Sequence, residues 1–134
     1  MSEQPDLAKE VARWIEKAEH DFLAAEHSMK LAAEGLTDIV AFHCQQCAEK
    51  YLKARLTEAD VEFAKIHDLV ALLDEVLVVQ PTWDTFRADL AFLSDFAVGF
   101  RYPGESADRE SARDARRRCR AFRVAAREAL GLGA

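Results

Sequence analysis

Six arginines near the end of the chain, Arg109, Arg113, Arg116, Arg120, Arg123 and Arg127, stand four, three, four, three and four residues apart. On a helix that rhythm draws one stripe along one face, and Arg117 and Arg118 widen it. A guanidinium is a planar fork of N–H donors that matches phosphate and carboxylate oxygens. The stripe can therefore grip a nucleotide, an RNA or an acidic protein. It can equally be a solvated flank whose stems cover the core edge and whose charges pair with acidic helices. From Arg101 onward nine arginines and no lysine stand against five acids, a surplus of four, while the first 100 residues carry nine bases against 19 acids, a deficit of ten. The net charge of −6 argues against indiscriminate nucleic-acid binding by bulk charge. Its uneven division directs the search for any anion site to the last helix.

A second group with chemical potential is His43, Cys44 and Cys47, with Cys119 farther along. Structural zinc takes four converging ligands, usually two pairs, and the Cys44–Cys47 pair has no second pair. A redox CxxC reading lacks the surrounding βαβ pattern. Small buried thiols are expected, with no metal and no cofactor. Three cysteines do not make a disulfide framework and suit a reducing cytoplasm. His20 and His27 are expected at the edge of the first apolar face. His67, beside Asp68, is expected to cap the following segment or to bond across the fold. No Ser/His/Asp order, phosphate-cradling Gly loop or catalytic carboxylate pair is evident.

The elements that would position these residues are helical. The chain has 134 residues, 50% hydrophobic and 31% charged. That fits one domain over residues 1–134 with a sizeable core, and disorder is not expected. No apolar run approaches the ~20 residues of a bilayer span, and no secretory leader is recognisable. Breakers at Pro5, Gly35, Pro81, Gly99, Pro103, Gly104, Gly131 and Gly133 divide the chain. In the first segment Leu7, Val11, Trp14, Ala18, Ala25, Met29 and Ala32 follow a helical rhythm, with Asp6 as N-cap. The second runs from about Thr37 to Glu58, with Ile39, Phe42, Cys47, Tyr51, Ala54 and Leu56 facing inward. A short third covers Asp68 to Val78. The fourth opens at Pro81-Thr82 and turns Trp83, Phe86, Leu90, Leu93, Ala97 and Phe100 inward. The last is capped by Ser106 and buries Ala112, Ala115, Cys119, Phe122, Ala126 and Leu130. Residues 57–67 form the least defined link. The sum is an all-α, up-and-down bundle of four main helices plus one short helix.

Three pieces in this order resemble the HEPN domain family (higher eukaryotes and prokaryotes nucleotide-binding). They are Ala41-Phe42-His43-Cys44-Gln45-Gln46-Cys47-Ala48-Glu49-Lys50-Tyr51-Leu52-Lys53-Ala54, His67-Asp68-Leu69, and Arg101-Tyr102-Pro103. The resemblance implies a helical bundle over roughly Ala12 to Leu130, and a homodimer. It implies one of two activities. Many members resemble metal-independent ribonucleases that use an Arg, four to six intervening residues, then a His. Others act as nucleotide-binding or partner modules, often beside a minimal nucleotidyltransferase in toxin–antitoxin or defence gene pairs. Here Arg101 matches the functional Arg, but Ser106, Ala107 and Asp108 stand where the His would be, and no His follows His67. Arg13 and His20 match the spacing on the wrong helix. A binding module is the first expectation, with Arg101, Tyr102, Arg109, Arg113, Arg116 and Arg120 as the nucleotide or RNA contacts. A ribonuclease using Arg101 with a non-standard base, and a purely structural interaction module, are the alternatives. Gln46, Glu49, Lys53 and His67 match polar positions that either tie helices together or touch ligand.

Overall fold

A computed structural model describes residues 6–31, 36–96 and 107–133. Within them lie α1 (Leu7–Leu31), α2 (Leu36–Glu58), α3 (Leu69–Val76), a 3-10 helix (Pro81–Phe86), α4 (Arg87–Ser94) and α5 (Arg109–Ala129), and the described residues hold no strand. The all-α bundle is thus observed. The fourth main helix differs in detail: Pro81 starts a 3-10 turn, and the α-helix proper begins only at Arg87. Ala97, Phe100 and Ser106 lie outside the described residues.

Helix ends follow side-chain chemistry. The Asp6 carboxylate accepts from the Lys9 N–H at 3.3 Å, and Asp68 accepts from Val70 and Ala71 at 3.0 and 3.1 Å. At α5 the observed cap is Asp108, which accepts from the Ser111 N–H at 2.7 Å. Each satisfies N–H groups that a first helical turn leaves without partners. α2 stops in a left-handed residue, Asp60 at φ 57°. The Val61 N–H bonds the Leu56 carbonyl at 2.9 Å and the Asp60 N–H bonds that of Thr57 at 3.0 Å. This is the paired closure that usually employs glycine, and Gly131 (φ 78°) closes α5 in the same way.

Cross-helix bonds fix the directions. Glu19 meets Arg123 and Glu26 meets Arg116, so α1 and α5 run antiparallel. Asp21 and Glu19 of α1 meet Lys50 and Tyr51 of α2, while Lys53 of α2 lies over Trp14 of α1; that pair is antiparallel too. Arg87 reaches Asp74, and the Ser94 hydroxyl accepts from the Leu69 N–H, which sets α4 antiparallel to α3. Arg118 of α5 meets Asp89 of α4 while Phe122 meets Phe86 just before α4, so α4 runs antiparallel to α5; helices α1, α2, α4 and α5 alternate, and α3 is the short extra piece.

α2 is the axis, touching α1, α3, α4 and α5. Tyr51, Leu52, Leu56 and Val40 are fully buried on it, as are Leu72, Leu73, Leu90, Leu93 and Phe122 around it. Phe122 takes Trp83 and Phe86 edge-on at 5.1 and 5.4 Å. One-sided burial was the wrong assumption for α2. Ile39, expected inward, is 40% exposed, whereas Gln45, Glu49, Lys53 and Thr57 are buried. A helix enclosed on every side has no single apolar stripe, so its polar residues must be satisfied inside.

Candidate anion-binding face and the polar interior

The apolar stripe of α5 points inward as expected, with Ala112, Ala115, Cys119, Phe122 and Ala126 buried. Its arginines consequently flank the seams with α1 and α4, and their roles divide. Arg123 donates two bonds to Glu19 at 2.7 and 2.6 Å. Tyr51 donates to the same carboxylate at 2.6 Å, and the Arg127 guanidinium stands 3.4 Å away. Arg116 forks onto Glu26 at 2.9 and 2.8 Å. Arg118 bridges Asp89 of α4 (2.7 Å) and Asp114 (3.2 Å). Burial would raise the Glu19 carboxyl, but Arg123, Tyr51 and Arg127 outweigh it and hold it below its usual range. Arg116 does the same for Glu26 against a smaller burial effect. The same contacts raise Arg123 and Arg116. Arg116, expected as a ligand contact, is thus already engaged by Glu26, because α5 packs its basic edge on an acidic α1.

The remaining arginines face outward. Arg113 and Arg120 are exposed, and Arg113 makes no ion pair or hydrogen bond with the described residues. Arg120 stands 3.8 Å from Glu26 with its side chain 57% exposed. Arg117 pairs with Asp114 on its own helix but keeps 70% of its side chain in solvent. Arg113, Arg116, Arg117 and Arg120 together line a hollow of about 250 Å³, with no other described residue in its wall. Arg109 is exposed at the start of α5.

The expected polar positions of α2 converge. Glu49 receives Lys53 Nζ at 3.0 Å, Gln45 Nε2 at 3.3 Å and His67 Nδ1 at 2.8 Å. Gln46 donates to the Gln45 carbonyl oxygen at 2.6 Å, and Gln45 Nε2 also reaches the His67 backbone carbonyl at 3.1 Å. Gln46, Glu49, Lys53 and His67 therefore form one network, which pins the 59–68 link against α2. His67 bonds across the bundle and leaves capping to Asp68. Such a network rigidifies a core when every member has a partner. Cys44, Cys47 and Cys119 are all buried. The neighbouring Cys119 and burial push the Cys44 thiol well up, and burial and Cys119 do the same for Cys47. No metal-binding group occurs among the described residues, and no described helix is long and apolar enough to cross a membrane.

A family model, the HEPN domain, matches residues 11–129, most of the chain. The chain belongs to the HEPN domain family. No individual curated protein and no solved structure matches it. Membership makes it, in general terms, a nucleotide- or RNA-related module. Of the HEPN positions expected from sequence, Arg101 and Tyr102 lie outside the described residues. His20, the partner of the Arg13 spacing match, is exposed.

The sequence reading missed a second polar cluster in this HEPN fold. Asp21, on α1, bonds His43 Nδ1 at 2.7 Å and also holds Lys50. It sits in the same row as Ala18 and Ala25, which bury there. An acid three residues after one buried alanine and four before the next is the signal that could have identified it. The carboxylate engages Nδ1 of His43 and so fixes the orientation of the ring.

Proposed function

We propose that this HEPN chain is a non-catalytic module that binds nucleotide or RNA phosphate on the outer half of its α5 arginine stripe. We further propose that it works as a homodimer beside a minimal nucleotidyltransferase, in a two-gene system of the toxin–antitoxin or defence kind. The observation that carries the reading is the hollow lined, among the described residues, by Arg113, Arg116, Arg117 and Arg120. Glu26 and Asp114 offset part of this charge, Arg113 pairs with no described acid, and the planar guanidinium forks suit phosphate oxygens. The sequence supports binding over cleavage, since no His follows His67 to serve the acid–base role beside Arg101.

The test is a titration of labelled single-stranded RNA at several salt concentrations, with cleavage followed on a gel without added metal. An Arg113→Gln/Arg120→Gln variant should weaken binding and reduce the slope of log K against log salt by roughly 1.4, about 0.7 per single-strand phosphate contact. Intact RNA is expected throughout. An unchanged slope would remove α5 from the interface. No binding even at low salt would favour an acidic protein partner, which suits the stripe's bonds to Glu19, Glu26 and Asp89.

A further inference from the structure

A second concave site lies away from the arginine face. The N-terminal half of α1, the C-terminal half of α2 and the link after α2 enclose a groove of about 910 Å³. That is the size of pockets that hold small organic ligands, roughly 300–1,000 Å³. Two rings stand in its wall, Trp14 and Phe63, both half-buried and set edge to face at 6.2 Å with 62° between their planes. Lys53 lies beside both, its ammonium 5.6 Å from the Trp14 ring centre and 6.0 Å from that of Phe63. Buried and bound to Glu49, this cation is a fixed part of the site.

Four further cations reach the groove from three elements: Arg13 and Lys17 from α1, Lys50 from α2 and Lys65 from the link. Lys50 is held by Asp21. Arg13, Lys17 and Lys65 make no ion pair among the described residues. Three acids, Glu10, Asp60 and Glu62, also border the space, so charges of both signs line the groove and the unpaired cations Arg13, Lys17 and Lys65 supply its local positive points. This placement gathers basic side chains away from the last helix, to which the charge count alone directed the search. The chain's acidic first 100 residues hold nine bases, and five of them line this one groove.

We propose that the groove binds a small anion that carries a flat aromatic ring. The ring would pack against Trp14 and Phe63, and its phosphate or carboxylate would meet Arg13, Lys17 and Lys65. Lys53 opposes a positively charged ring in the same place, since it already occupies the attractive position beside both aromatics. The site is separate from the arginine hollow. Arg13 and Glu26, the partner of Arg116, are thirteen residues apart on α1, about 20 Å along a helix.

Calorimetric titration of the full chain tests this with four probes: AMP, indole-3-acetate, tryptamine and inorganic phosphate. Saturable binding of AMP, of indole-3-acetate or of both is expected; the first alone assigns a nucleoside phosphate and the second alone an aromatic carboxylate. Arg13→Glu/Lys65→Glu, at two exposed positions, should weaken that binding at least tenfold, and Trp14→Leu should do the same if it folds. Arg113→Gln/Arg120→Gln should leave it unchanged, which keeps this outcome apart from that of the RNA titration. Tryptamine binding as well as the anions, phosphate binding that matches AMP in the Arg113→Gln/Arg120→Gln variant, no binding of either aromatic anion, or indifference to Arg13→Glu/Lys65→Glu would each overturn the assignment.

Discussion

Replacing Glu19 with Gln tests the electrostatic seam between α1 and α5. The substitution keeps the shape and removes the charge that Arg123, Arg127 and Tyr51 share. Stranding a buried partner costs roughly 3–5 kcal/mol, whereas an exposed pair contributes about 0–1 kcal/mol. The Glu19 side chain is 25% exposed and those of Arg123 and Arg127 are 18% exposed, which places the cost between these limits at about 2 kcal/mol. At about 2.1 cal/mol/K per residue, a chain of this length unfolds with an entropy of roughly 280 cal/mol/K, so Tm should fall by about 7 °C. Arg123 also stacks on Phe22, 4.2 Å from the ring centre, and that contact survives. The pH dependence gives the sharper check. Glu19 titrates below its ordinary 4.5 in the folded chain, so its contribution is complete above 4.5 and is lost as pH falls through the folded value. Calorimetric Tm values for wild type and Glu19→Gln should differ at pH 7, and the gap should narrow as pH falls below 4.5. A gap that does not narrow as pH falls below 4.5, or a drop under about 2 °C at pH 7, would refute the assignment of this carboxylate as the seam's anchor.

Lys53→Met should destabilise by roughly 3–5 kcal/mol because Glu49 keeps its charge in the interior. Adding Glu49→Gln should recover part of that loss, and denaturant melts of both variants check it. Glu26→Gln should tighten phosphate or RNA binding several-fold in the salt titration, since it frees the Arg116 fork that Glu26 now occupies.

The helices with one buried face were legible because their sequence period equals their burial period. The α5 stripe from Ala112 to Ala126 and the α1 residues Ala18 and Ala25 came out as expected. α2 did not, because a helix surrounded by four others buries Gln45 and Glu49 as fully as Leu52, and burial then leaves no periodic trace. Its polar positions were recognisable only from the family pattern. That Gln46, Glu49, Lys53 and His67 form one network was beyond the sequence, because His67 arrives from eighteen residues away through an irregular link. The Trp14–Phe63 groove was hidden for the same reason: its rings and cations come from three elements, and no local spacing joins Arg13 to Lys65. Asp108, rather than Ser106, caps α5, and a one-turn choice among adjacent capping residues is not decided by residue type.

Charge in this chain has to be read at three scales. The net value of −6 describes the whole molecule and says little about any site. The surplus at the C-terminal end points to α5, yet α5 spends much of it internally. Arg116, Arg118, Arg123 and Arg127 each lie against a carboxylate of the bundle, where they hold helices together. What remains for a ligand is the set whose charge is not already matched. On α5 that set is Arg113 and Arg120, with Arg117 beside them, and Arg116 shared with Glu26. An anion entering that hollow competes with Glu26 for Arg116, so its affinity reflects the difference between two carboxylate- or phosphate-like partners and not the full strength of either. In the groove Arg13, Lys17 and Lys65 form no ion pair among the described residues, although Glu10, Asp60 and Glu62 border the same space, and two rings supply apolar contact. The first arrangement favours a ligand that offers many phosphates and little else. The second favours one that combines a single charge with a ring. One small bundle can therefore carry two anion sites of different selectivity, because the acids of α1 neutralise the ridge between them.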